Sequence, residues 1–142
     1  MKRILIVCTG NSCRSQMAEG LVNALWGDKW KAFSAGTKPG GLNPKAIAAM
    51  FEIGIDISSY QSKHVSQFAG ESFDIVLTVC SGAKDECPLF PGGGKRLHFP
   101  IPDPAPFTDL PDDRALPHFR QARDMLRERL ERELGGKLKV ES

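Results

Sequence analysis

Cys8, Arg14 and Ser15 stand in the stretch CTGNSCRS, residues 8 to 15, which follows directly on the apolar run ILIV. A cysteine thiolate is a strong nucleophile, and a guanidinium presents a planar fork that holds two oxygens of a tetrahedral oxyanion. A hydroxyl beside the sulfur stabilises its anion. A strand that turns into a helix start is also where open parallel sheets bind anions, because free backbone N–H groups and the helix dipole point at the ligand. Gly10 and Asn11 tolerate the left-handed backbone that turns such groups inward. Thr9, Gly10, Asn11, Ser12, Cys13 and Arg14 are therefore the expected walls of an oxyanion cradle, with Cys8 at its base as nucleophile and Ser15 as thiolate partner. Taken singly, Cys8 reads as a buried strand end, and Arg14 and Ser15 as first-turn helix residues. Their combination favours the chemical reading. Cys13 is explained better by burial than by reactivity.

Two more cysteines bear on this site. Cys80 ends FDIVLTVC much as Cys8 ends its own run, so in a parallel sheet both lie on the same carboxyl edge. Neighbouring strands lie about 4.8 Å apart, comparable with the ~4.4 to 6.8 Å between the α-carbons of a disulfide. Cys87 follows in CSGAKDEC. Seven residues of intact helix rise about 10.5 Å, so any helix between Cys80 and Cys87 must unwind for them to pair. Gly82 and the glycines at 92 to 94 would ease that change. Zinc held with His64 or His98 is the alternative, but the gap between the two cysteines does not match the usual short zinc spacing. His64, His98 and His118 otherwise read as ordinary loop or helix residues.

The surrounding elements alternate between strand and helix patterns. RILIVC is a short continuous apolar run, as expected of a strand buried on both faces. From about Ser12 to Trp26 the pattern is helical, with Met17, Leu21 and Leu25 four apart and Gly27 as the C-terminal stop. WKAFSAG reads as a second strand. Asn43 and Pro44 start a helix whose face carries Ile47, Met50 and Phe51 and which stops at Gly54. FDIVLTVC is a third strand and RLHFPIPDP a shorter fourth that ends in prolines. Leu116, Phe119, Leu126, Leu130 and Leu134 line a final helix whose Arg and Glu residues form its solvated face. This alternation implies a three-layer α/β domain.

Composition sets the outer limits. The 142 residues, 41% of them apolar, suit one domain over residues 1–142 with a real core. A net charge of +2 is too small and too mixed to argue for nucleic acid or an anionic membrane. The N-terminal apolar run is too short for a signal peptide, and no stretch approaches a membrane span. Those features point to the cytoplasm, where four cysteines suggest catalysis, redox chemistry or metal binding rather than structural disulfides.

VCTGNSCRSQMAEG closely resembles the signature of the low-molecular-weight tyrosine phosphatase superfamily, and within it the thioredoxin-coupled arsenate reductases. The likeness continues through SAGT, IGIDISSYQSK, FDIVLTVCSGAKDECP and PDPA. The resemblance implies a four-stranded parallel sheet in the order 2-1-3-4 with helices on both faces. It implies Cys8 as nucleophile, Arg14 as oxyanion clamp, Ser15 as thiolate partner, Asn11 as a shaper of the loop, and Asp103 of PDPA as general acid. Spacing alone leaves Asp103 equally readable as a turn residue between Pro102 and Pro104. Some relatives also hold a potassium ion beside the loop, for which Asn11, Glu19 and Ser34 are the candidate ligands; no tightly bound cofactor is expected otherwise.

Two activities share that scaffold. A phosphatase needs one thiol, an acid and a substrate wall, whereas arsenate reduction needs further thiols to expel arsenic(III) and to carry away the oxidation. Cys80 and Cys87 supply those thiols. PDPA is followed by Pro106 and Phe107, whereas the phosphatases carry tyrosine after the Asp-Pro pair, and Tyr60 is the only tyrosine in the chain, so a phosphotyrosine cleft is poorly supported. The expected function is arsenate reduction for arsenic detoxification by a Cys8–Cys80–Cys87 relay in a monomer, with thioredoxin as reductant and phosphate or sulfate as competing anions. A phosphomonoesterase with regulatory cysteines, and a non-catalytic thiol sensor or phosphocarrier, are the alternatives.

Overall fold

The computed structural model describes residues 1–80 and 93–135. Cys87, Gly82 and Gly92 lie outside the described residues, and so does the expected unwinding between Cys80 and Cys87. The described elements are β1 (Lys2–Cys8), α1 (Arg14–Leu25), β2 (Trp30–Gly36), α2 (Pro44–Phe51), β3 (Phe73–Thr78), β4 (Gly93–His98) and α3 (Asp112–Leu130). The strands form one parallel sheet in the order β2-β1-β3-β4. The order agrees with the expectation from sequence.

β1 is apolar on both faces because both are covered. Ile4, Ile6 and Cys8 alternate toward a core completed by Met17 and Leu21 of α1, Ala46 and Met50 of α2, and Phe119, Leu126 and Leu130 of α3. Leu5 and Val7 point the other way, where the third layer among the described residues is the 3-10 turn Val65–Phe68. There Phe33, Phe68 and Phe73 meet edge to face with centroids 5.8 to 5.9 Å apart. Each fully buried side chain of this size contributes about 1.5–3 kcal/mol, so the sheet's centre is the most strongly held part of the fold.

The structure corrects several local expectations. α1 begins at Arg14 rather than Ser12, with Cys13 as its N-cap. Leu25 and Phe51 are exposed at 40% and 68%, so the apolar faces of α1 and α2 are narrower than their sequence spacing suggests. Gly27 ends α1 through close approach: a Cβ there would stand 2.2 Å from the Asn23 carbonyl oxygen. β3 ends at Thr78, short of Cys80. β4 begins earlier than expected, at Gly93, and stops at His98 because Pro100, Pro102 and Pro104 have no N–H to donate to a ladder. On α3, Arg123 is buried rather than solvated, and its Nη1 donates to the Ala49 carbonyl and to Glu52.

Candidate active site

The loop from Thr9 to Cys13 carries β1 into α1, and its carbonyls are tied away from the site. The Thr9 carbonyl accepts from the Lys38 N–H, Gly10 from the Gly40 N–H and the Ser62 hydroxyl, Asn11 from Gln16 Nε2, and Ser12 from the Asn43 N–H. In a trans peptide the next N–H points opposite to the carbonyl, so the N–H groups of residues 10 to 13 turn inward. Asn11 completes the turn at φ 47°. Its N–H donates to the Cys8 sulfur at 3.2 Å. α1 has no side-chain N-cap hydrogen bond, which leaves its first-turn N–H groups for an anion.

Cys8 is buried, with Ser15 Oγ 2.9 Å from its sulfur. Ser15 accepts from Asn11 Nδ2 at 2.8 Å, so its single proton is available to the sulfur. The same Nδ2 donates to Ser34 Oγ at 2.9 Å, and Ser34 donates to Glu19 Oε1 at 2.5 Å. Beyond Glu19 stands Lys63, its ammonium 3.8 Å away. Burial raises the Glu19 carboxyl above its ordinary value, opposed by the Ser34 hydroxyl and the Lys63 charge.

Arg14 is 4% exposed. Its Nη1 donates to the carbonyls of Val79 (3.1 Å) and Ile101 (3.0 Å), and its Nη2 lies 3.6 Å from Asp103 Oδ2. Asp103 is aimed by the Ala105 N–H, which donates to its other oxygen at 3.0 Å. Cys8, Thr9, Gly10, Ser12, Cys13, Arg14, Asp103 and Ala105 line one pocket of about 230 Å³. That is room for roughly eight waters at about 30 Å³ each, and below the ~300–1,000 Å³ of drug-sized ligand sites. It admits a tetrahedral oxyanion with room to spare. Tyr60 packs instead against the core, and Phe107 stacks on His118 at 3.6 Å between centroids.

The Cys13 thiol shares the pocket but is pushed up to about 12, chiefly by burial. Cys80 is buried at the carboxyl edge. Val7 pairs with Thr78, and the Val79 N–H donates to the Val7 carbonyl, so Cys8 is level with Val79 and Cys80 lies one residue further. An offset of one extended residue across neighbouring strands corresponds to roughly 6 Å between α-carbons. Val79 shares the Cys8 face of the sheet, and side chains alternate along an extended chain, so the backbone beyond Val79 must turn before Cys80 can pair with Cys8.

The expected potassium ligands come together, but they do not fit a potassium ion. The Asn11 side-chain oxygen accepts from the Lys63 N–H at 2.8 Å and from Gln16 Nε2 at 3.1 Å. Asn11 turns its NH₂ group, not an oxygen, toward Ser34. The Glu19 charge already faces an ammonium. Among the described residues no group of three or more His, Cys, Asp or Glu side chains could hold a metal, and no helix is long and apolar enough to cross a membrane. Gln16, Ser62 and Lys63 hold the loop without any local signal in the sequence; only their position against it in space identifies them.

Residues 3–141 match the model of the low molecular weight phosphotyrosine protein phosphatase family. An arsenate reductase of Bacillus subtilis is 43% identical over 129 residues, 91% of this chain and 92% of the relative. Arsenate reductase 1 of Staphylococcus haemolyticus is 42% identical over 130 residues, 92% of each. Among solved structures, an arsenate reductase in the phosphate binding state superposes with a TM-score of 0.80 at 33% identity, over 96% of this chain and 98% of that one.

Proposed function

This chain belongs to the low molecular weight phosphotyrosine protein phosphatase family, and we propose that its reaction is the reduction of arsenate to arsenite, in arsenic detoxification. The observation that carries this reading is that Cys8, Arg14 and Asp103 line one pocket that admits a tetrahedral oxyanion, with Cys80 buried one residue past the level of Cys8 on the neighbouring strand's line. The relatives named arsenate reductase over nine-tenths of the chain support it.

Arsenate binds to the inward N–H groups and Arg14, which neutralise its charge in a buried site. The Cys8 thiolate, held by the Ser15 hydroxyl and the Asn11 N–H, attacks arsenic. A sulfur–arsenic bond forms, and the arsenic–oxygen bond opposite breaks. Asp103 gives its proton to the departing oxygen, which leaves as water. The Cys80 thiolate then attacks the Cys8 sulfur, and the electron pair of the sulfur–arsenic bond stays on arsenic. Arsenic(V) becomes arsenic(III) and departs as arsenite, while the two sulfurs are oxidised to a disulfide. Cys87 attacks Cys80, freeing the Cys8 thiolate and leaving a Cys80–Cys87 disulfide. A dithiol reductant must return two electrons, and thioredoxin in the cytoplasm is the proposed donor. Phosphate and sulfate compete for the cradle because they share its tetrahedral shape and charge.

The test is arsenate-dependent NADPH oxidation with thioredoxin and its reductase, measured on the wild type and on Cys8→Ser, Cys80→Ser and Cys87→Ser. Turnover by the wild type and its loss in all three variants is expected. Cleavage of p-nitrophenyl phosphate that survives Cys80→Ser, without arsenate turnover, would identify a phosphatase instead.

A further inference from the structure

Two walls of the pocket come from distant parts of the chain: Ser12 in the anion loop and Asp103 in the turn before α3. Asn43 touches both. Its backbone N–H donates to the Ser12 carbonyl at 3.1 Å, and its side-chain Nδ2 donates to Thr108 Oγ1 at 2.9 Å. Asn43 Oδ1 accepts from the Lys45 N–H at 2.8 Å as the cap of α2, so the amide cannot be turned round without losing both bonds. Thr108 Oγ1, accepting from Asn43, spends its only proton on the Ala105 carbonyl at 2.6 Å. The Ala105 N–H in turn holds Asp103 Oδ1 at 3.0 Å.

We propose that Asn43 and Thr108 are positioning residues that set the distance between the Asp103 carboxyl and the anion held in the loop. The inference rests on the reading of Asp103 as general acid. Neither residue lines the pocket. The Ala105 carbonyl also accepts from the Thr108 backbone N–H at 3.1 Å, so removing the hydroxyl keeps the turn but unties it from Asn43. That lets the Asp103 carboxyl drift while the inward N–H groups of the loop stay in place. Thr108→Val is nearly isosteric and removes that hydroxyl; Thr108→Ser restores it.

The experiment is a double-mutant cycle on arsenate turnover with phosphate as competing inhibitor. Asp103→Asn is expected to lower turnover about a hundredfold, the lower end for a lost general acid. Thr108→Val should lower kcat about tenfold, the scale of a displaced catalytic group, with the phosphate inhibition constant within about twofold of wild type because both interactions with the anion persist. Thr108→Ser should recover most of the loss, and Thr108→Val should cost nothing further in the Asp103→Asn background. An equal loss in both backgrounds, or a loss carried by phosphate affinity, would overturn the inference; a thermal melt of each variant shows that it is folded. The cycle also separates this inference from the arsenate reading. If the wild type reduces no arsenate but cleaves p-nitrophenyl phosphate, the same cycle is run on that ester, whose leaving oxygen Asp103 would protonate. Absence of both activities overturns the two together.

Discussion

The ammonium of Lys63 stands 3.8 Å from Oε1 of Glu19, at the far end of the hydrogen bonds that run through Ser34, Asn11 and Ser15 to the Cys8 sulfur. Its backbone is fastened on both sides, since its N–H donates to Asn11 Oδ1 and its carbonyl accepts from the Gly36 N–H. Lys63 thus sets a tethered cation beside the Glu19 carboxyl. Turnover by the wild type should be the same in potassium chloride and in choline chloride. Lys63→Met leaves the Glu19 carboxylate without a counter-charge. It should lose about threefold in choline chloride, the scale of a partly exposed ion pair, and regain part of that in potassium chloride. A wild type that needs potassium would refute this account.

Glu19 also gives the fold a defined pH response. Its carboxyl is raised above 4.5, first by burial. A carboxyl whose folded value is raised takes up protons on folding, so its stabilisation is complete below 4.5 and is lost as pH rises through the folded value. Glu19→Gln still offers Ser34 an acceptor but does not ionise. Urea titrations across about pH 4 to 8 should show the wild type losing stability relative to Glu19→Gln as pH rises. A constant difference, or one that moves the other way, would exclude the burial cost as the dominant effect.

The two cysteines of the loop should react very differently. Cys13, its thiol pushed up to about 12, is neutral throughout the physiological range, and a neutral thiol is a poor nucleophile. In a Cys80→Ser/Cys87→Ser background at neutral pH, iodoacetamide should label Cys8 and spare Cys13. Ser15→Ala removes the hydroxyl 2.9 Å from the Cys8 sulfur. A hydrogen bond to a charged group contributes about 1.5–3 kcal/mol, of which nearly half returns as greater intrinsic nucleophilicity of the sulfur, so alkylation of Cys8 should slow about four- to sixteenfold. Mass spectrometry of the labelled peptides reads both outcomes, and equal labelling of Cys13 would contradict them.

What the sequence made legible follows from how local each signal is. β1 announces itself because both of its faces are buried, and a short continuous apolar run that ends in turn residues fits such a strand. The anion loop is legible because nucleophile, turn residues and clamp are consecutive. Lys63 and Asn11 are 52 residues apart, and Asn43 and Thr108 are 65 apart; hydrogen bonds of that reach leave no periodicity or spacing to read. Arg123 illustrates the opposite error. It sits in a run of charged residues that reads as a wet helix face, yet its guanidinium crosses to the Ala49 carbonyl of α2. Phe51 misled in the reverse direction, because an eight-residue helix shows too few turns to fix which side is apolar.

Gly36 gives the sharpest test of the loop itself. It pairs with Cys8 across β1 and β2, and a Cβ there would stand 2.4 Å from the Thr9 carbonyl oxygen and 3.0 Å from both the Asn11 nitrogen and the Cys8 carbonyl oxygen. All three are backbone atoms, two in the anion loop and one at the end of β1, so none can swing aside as a side chain would. Gly36→Ala must push the loop off β2, at a cost of about 1–3 kcal/mol for overpacking. The displacement also turns the N–H groups of the cradle away from their common focus. The variant should therefore melt lower than wild type and, in addition, lose the thermal stabilisation that added phosphate gives the wild type. A Gly36→Ala protein that melts lower but gains as much from phosphate as the wild type would show that the loop keeps its shape without this glycine.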